Sequence, residues 1–239
     1  MARRGPTRGQ RAVSLRMPYS TLLFDYDGTL CDTRQAIYHS LQQVFRLHRA
    51  PVPTTAALDE VVTLGLPTLE ILYMLHPAGA DADVSAWVPA YRAIYAAEGE
   101  PLVQPFAGAP EVLAELQAAG YGLAYVSNKN IVTLGTSLDR LDLRRYASLV
   151  VGEGSSPDRV MALKPAPDMF YEVVQPHFEG TPAAAMLMIG DTPSDLLFAR
   201  SAGVPACWAA YGFGDAVTCM ALGPQHHIRD VRDVLELVG

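Results

Sequence analysis

Short apolar runs alternate with helix-like stretches from Pro105 onward, and this alternation narrows the possible folds more than any other feature of the chain. The runs Gly122–Val126, Ala147–Val151, Met186–Ile189 and Pro205–Ala209 predict strands, and Thr21–Phe24 predicts another near the start. Between them, Glu111–Ala119, Ile131–Leu141, a stretch beginning near Pro167, Pro193–Ala202 and Val231–Val238 read as helices. The first of these is opened by Gly108-Ala109-Pro110 and closed by Gly120. Strands separated by helices pair in parallel through crossovers, and strands covered on both faces are continuously apolar, as these are. The expectation is therefore an α/β fold, a doubly wound parallel sheet.

One block departs from this rhythm. From Thr33 to Gly99 the apolar positions follow helical spacing: Ile37, Leu41, Val44, Phe45 and His48, then Leu69, Leu72, Met74 and Leu75, then Trp87, Tyr91, Ile94 and Tyr95. No strand interrupts it, so the block predicts an all-helical unit inserted after the first strand. The expected division is an α/β core over 18–32 and 104–239, an inserted helical cap over 33–103, and a basic arm over 1–17. That arm carries five arginines and no acid, lacks apolar periodicity, and is expected to be disordered.

Composition then excludes several classes. Half of the residues are hydrophobic and only 18% are charged, which rules out global disorder. The longest apolar runs, such as Ala183–Ile189, fall far short of the ~20 residues that cross a bilayer. Net charge is −7 even with the basic arm included, so the body is a poor partner for nucleic acid or anionic lipid. Three widely spaced cysteines, with no CxxC pair, argue against a disulfide scaffold and for a cytoplasmic location. Cys31 is expected to pack as a small apolar residue, His226-His227 to lie in a surface loop, and Trp87, Tyr91 and Tyr95 to form the core of the helical unit.

In open α/β sheets, ligands bind beyond the carboxyl ends of the strands. The residues there are Asp25 and Asp27, then Ser127 and Asn128, then Gly190-Asp191 with Asp195, while Lys164 lies in an intervening loop. Clustered carboxylates need a cation to be tolerated, and hard oxygen ligands point to Mg²⁺. The chain has only two lysines, Lys129 and Lys164, and both fall in this set of segments.

Asp25-Tyr26-Asp27-Gly28-Thr29, Val126-Ser127-Asn128-Lys129, Lys164-Pro165-Ala166-Pro167-Asp168 and Gly190-Asp191-Thr192-Pro193-Ser194-Asp195 resemble, in order, the four motifs of the haloacid dehalogenase (HAD) superfamily. Within it the chain is most similar to phosphoglycolate phosphatase-like hydrolases with a helical cap, over about Leu22 to Gly214. The resemblance implies a Rossmann-like core and hydrolysis of a small phosphorylated metabolite. Asp25 would attack phosphorus and form a phosphoaspartyl intermediate. Asp27 would protonate the leaving alkoxide and then activate water. Ser127 and Lys164 would complete the catalytic set, the first donating to phosphoryl oxygens and the second balancing charge. Magnesium would be held by Asp25, the Asp27 carbonyl and Asp191, with Asp195 behind them. Substrate contacts are expected at Asn128, at Thr29, which also steadies its turn, and at Gly65 in a cap loop.

Asp27 argues against the dehalogenase branch, where a halide leaves without a proton. A Schiff-base branch needs a cap lysine, and no lysine lies between Thr33 and Gln104. A sugar-phosphate mutase with the same cap class and a non-catalytic binding module remain as alternatives. The expected assembly is a monomer or homodimer. Among cap residues only Arg34, Arg46, Arg49 and Arg92 could meet a second anion on the substrate, which places phosphoglycolate itself in question.

Overall fold

A computed structural model describes residues 19–156 and 158–239; the arm expected over 1–17 lies outside them. Strand β1 (Thr21–Phe24) leads into β2 (Cys31–Asp32), which pairs antiparallel with β3 (Gln104–Pro105). Between β2 and β3 run the helices α1 (Arg34–Leu47), α2 (Thr55–Val62), α3 (Thr68–Leu75) and α4 (Trp87–Ile94). The chain thus leaves and re-enters the rest of the molecule through two adjacent strands. The remainder alternates: α5 (Ala109–Ala118), β4 (Gly122–Asn130), α6 (Ile131–Arg140), β5 (Leu149–Glu153), α7 (Gln175–His177), β6 (Met186–Gly190), α8 (Pro193–Ala202), β7 (Ala206–Ala209), α9 (Ala216–Ala221), β8 (His226–Ile228) and α10 (Asp233–Val238).

Six strands form one parallel sheet in the order β5-β4-β1-β6-β7-β8. The chain moves outward from β1 to β4 and β5, then returns to the other side for β6, β7 and β8. The reversal falls at β1, and the crevice above its carboxyl end is where such a sheet binds ligands. Successive strand residues enter opposite layers: Leu22, Phe24, Leu187 and Ile189 pack on one side, and Leu23, Met186 and Met188 on the other. Coverage on both faces is the physical reason these strands read as unbroken apolar runs.

Four elements differ from the sequence expectation. Strand β4 continues past Val126 to Asn130 through an irregularity, after which Asn130 pairs with Glu153. β8 was expected as a loop; His226-His227-Ile228 has no apolar run, and its strand character comes from pairing with β7 at the sheet edge. His226 accepts or donates at 2.7 Å to Tyr19 Oη, so it is a packed edge residue. α9 has no counterpart in the expectation. In α1, Leu41, Val44 and Phe45 are buried as the spacing predicts, but His48 lies just beyond the helix end and is exposed, stacking on Trp87 at 4.3 Å.

The returning segment before β3 is fastened to the core by α6. Glu100, 5% exposed, accepts hydrogen bonds from Ser137 Oγ (2.6 Å) and Arg140 Nε (2.8 Å). Arg140 Nη2 also donates to the carbonyls of Glu100 (2.9 Å) and Val103 (3.0 Å). Arg140→Met would strand a buried carboxylate, so a loss of about 3 kcal/mol in unfolding free energy is expected. Urea denaturation checks it; a change within experimental error would show that the clamp is energetically idle.

Candidate active site

The site is assembled from four segments at the carboxyl edge of the sheet. Asp25 follows β1, and its N–H still donates to Ile189 O at 2.9 Å, which fixes the base of its side chain against β6. The chain then turns at Gly28, which has φ of 83°. A Cβ there would also collide with the Asp191 carboxylate and the Phe213 ring, so both conformation and close approach require glycine. Asp191 follows β6; its carboxylate accepts from Thr29 Oγ1 (3.0 Å) and the Phe213 N–H (2.6 Å). At the start of α8, Asp195 Oδ2 accepts from Thr192 N (3.0 Å) and Oγ1 (2.7 Å), a capping box that locks its orientation.

Lys164 enters from the loop after β5. Its ammonium donates to Asp25 Oδ1 and Asp195 Oδ1, both at 2.6 Å, and to Val126 O at 2.7 Å. All three side chains are buried. Asp25, Asp191 and Asp195 bring one oxygen each to within 4.8 Å of one another. Burial raises the Asp25 carboxyl to about 7, against the pull of Lys164 and with Asp195 and Asp27 adding to the rise. Asp191 is raised as well, by burial first and then by Asp195 and Asp25. Burial alone would lower Lys164, but Asp195 and Asp25 outweigh it and keep the ammonium charged. One ammonium facing three carboxylates leaves excess negative charge, and an all-oxygen donor set of this kind fits a hard divalent cation.

Asp27 stands apart from that trio. Its Oδ1 accepts from Lys129 Nζ at 2.9 Å, and the same ammonium donates to Tyr95 Oη at 2.9 Å from the helical unit. Ser127 is buried at the end of the apolar part of β4, with Oγ accepting from the Lys129 N–H at 3.2 Å. Asn128 bridges the two halves: Nδ2 donates to Gly65 O (3.0 Å) and Lys164 O (2.9 Å), while Oδ1 accepts from Lys164 N (2.8 Å). The helical unit is therefore seated on the sheet edge at Gly65, and Asp25, Asp27, Ser127, Lys164 and Gly65 line one cleft.

The haloacid dehalogenase-like hydrolase family model matches residues 22–209, a span that contains Asp25, Asp27, Ser127, Lys164, Asp191 and Asp195. The chain belongs to this family. Among its relatives, a phosphoglycolate phosphatase of Neisseria gonorrhoeae is 28% identical over 196 residues, covering 80% of each chain. A 5′-nucleotidase of Pseudomonas aeruginosa is 31% identical over 236 residues, covering 95% of this chain and 99% of that one. The solved structure of a haloacid dehalogenase-like hydrolase from Streptococcus pneumoniae superposes with a TM-score of 0.76 at 25% identity, over 92% of this chain and 98% of that one.

In this haloacid dehalogenase-like hydrolase, several side chains have neighbours that the motifs did not indicate. Thr29 is fully buried, and its hydroxyl donates to Asp191. Tyr91 and Tyr95 are buried as a cap core would be, yet both also line the cleft, whereas Trp87 packs away from it against Phe45 and His48. Residues that motif reading passed over include Lys129 as the partner of Asp27, the Phe213 N–H and the Trp208 indole, which donates to Asp191 O at 2.9 Å. The scarcity of lysine was a signal for Lys129. The other two act through a backbone donor and a strand side chain, which carry no motif.

Proposed function

We propose that this hydrolase is a Mg²⁺-dependent phosphomonoester hydrolase acting on a small phosphorylated metabolite through a phosphoaspartyl intermediate on Asp25. The observation that carries this reading is the segregation of two acids from one turn: Asp25 sits in the carboxylate–lysine cluster, while Asp27 is held 2.9 Å from Lys129 beside the open cleft. One oxygen is thereby kept for attack and another for proton transfer. Asp25, Asp191 and the Asp27 carbonyl would hold Mg²⁺, with Asp195 behind them, and the bound ion supplies charge neutralisation between nucleophile and phosphate.

The rest of the chemistry falls to the chain's own groups. Asp25 attacks phosphorus in line, and Lys164 offsets the negative charge that the incoming phosphate brings beside it. Ser127 donates to a phosphoryl oxygen. Asp27 protonates the leaving alkoxide and, in the second half, takes a proton from the water that cleaves the aspartyl phosphate. The helices over 33–103 act as a cap over a core of 18–32 and 104–239, excluding water during both steps. Three buried free cysteines support a cytoplasmic setting.

Release of phosphate from phenyl phosphate and from an alkyl phosphate, each with Mg²⁺ and with EDTA, tests the reaction class. Asp27→Asn separates the roles. The alkyl ester should lose about 10²–10⁴-fold in kcat/KM, and the aryl ester, whose leaving group needs little proton assistance, at least about tenfold less. Equal losses would remove Asp27 from the general-acid role.

Gly65 gives a second test. It has φ of 66°, and a Cβ there would collide with the Thr192 hydroxyl that orients Asp195. Gly65→Val should prevent the cap from seating and lower kcat/KM by on the order of 10-fold or more, since small misplacements of closing elements are costly. Hydrolysis at the wild-type rate would show that seating at Gly65 is dispensable.

A further inference from the structure

We propose that the leaving group of the substrate is uncharged and presents an aromatic or extended apolar face, so that a phosphate ester bearing a second anion is disfavoured. This rests on the phosphatase reading above and narrows it to a substrate class. Beyond the nucleophile, the cleft wall is built from Ile37, Val62, Leu66, Ile71, Tyr91 and Phe213. These come from four cap helices, the α2–α3 turn and the loop after β7, so they enclose the leaving group from several sides.

Three cations line the same cleft, and each is already matched. Lys164 serves Asp25 and Asp195, both at 2.6 Å. Lys129 serves Asp27 at 2.9 Å, with its ammonium also bonded to Tyr95 Oη and lying 4.0 Å from the centre of that ring. Arg92 on α4 is paired with Glu153 at the end of β5 at 2.5 Å. Of the other cap arginines, Arg34 pairs with Asp59 at 3.2 Å, lies over the Phe213 ring 4.7 Å from its centroid, and does not line the cleft. Arg46 and Arg49 are exposed and do not line the cleft. A substrate carboxylate or second phosphate would have to take one of these cations from its partner and leave a carboxylate unpaired in a site already rich in negative charge. An uncharged body has no such cost, and it gains contact with the apolar wall. The remaining polar groups in the lining, Thr68, Asn130 and Thr133, are neutral and suit hydroxyl or amide functions.

The test uses the full chain with Mg²⁺ and two esters that differ by one charge remote from the reacting oxygen, benzyl phosphate and 4-carboxybenzyl phosphate, with phosphoglycolate alongside. Expected is a kcat/KM for benzyl phosphate at least tenfold above either carboxylate ester, expressed mainly in KM. Glu153→Gln frees Arg92 without touching the catalytic groups. It should raise the rate on 4-carboxybenzyl phosphate several-fold and leave benzyl phosphate unchanged. Equal or better hydrolysis of the carboxylate esters by the wild type would overturn the proposal, and so would an unchanged gap in the variant. Turnover of phenyl phosphate in either case keeps the phosphatase reading standing. No turnover of any ester would remove that reading and this proposal together.

Discussion

Asp25→Asn is expected to lower kcat by on the order of 10⁴-fold or more, because the amide cannot form the covalent bond and the residual rate comes only from positioning. The same substitution should leave the fold intact and make the metal-free protein more stable. Asp25 lies 6% exposed among two other carboxylates, and its carboxyl is pushed up to about 7, well above the ~4 of an unfolded chain. A native state that binds more protons than the unfolded state loses stability as pH rises. In EDTA the stability of the wild type relative to Asp25→Asn should therefore fall between about pH 4 and about pH 7. Added Mg²⁺ binds the ionised carboxylates, so its stabilising effect should grow with pH across the same window. Melting temperatures with and without the ion, over a pH series, check both signs. A metal-free wild type that gains stability relative to Asp25→Asn through that window would contradict the charge imbalance at the site.

Lys164→Met should cost about 3–5 kcal/mol in unfolding free energy and abolish measurable turnover, since it removes one partner of a buried charge cluster. The ammonium is 2% exposed and is shared by Asp25, Asp195 and the Val126 carbonyl, so its loss strands three acceptors at once. Much of that cost is repulsion between the remaining carboxylates. The double variant Lys164→Met with Asp25→Asn should therefore be less unstable than the two single changes predict additively. Denaturant titration of the four proteins gives the coupling directly, and strict additivity would mean that Lys164 and Asp25 do not interact energetically.

The strand-end cluster is legible in the sequence for a physical reason: in a parallel sheet, side chains that meet at the carboxyl edge can sit immediately after apolar runs. Asp25, Ser127 and Asp191 could be placed that way, and the sheet brings them to one edge. What could not be read off was pairing across the chain. Asp27 meets Lys129, which is 102 residues away, and Lys129 meets Tyr95 from the cap. Helical spacing identified Tyr95 as a buried residue without indicating that its hydroxyl faces the cleft. The partner of the Thr29 hydroxyl is hidden for a related reason, since a hydroxyl beside an acidic turn has the same sequence signature whether it faces a cleft or, as here, donates to Asp191. Strand β8 escaped because its three residues are defined by backbone pairing at the sheet edge and not by apolar patterning.

In the proposed reaction Asp25 carries the phosphoryl group between the two half-reactions. Rapid acid quench during turnover of phenyl phosphate with Mg²⁺, followed by peptide mass spectrometry, would capture it. The expected result is a phosphoryl adduct on the peptide containing Asp25, localised to that carboxylate and accumulating further in Asp27→Asn, where water activation is slowed. An adduct on another residue, or continued phosphate release by Asp25→Asn at the wild-type rate, would contradict it.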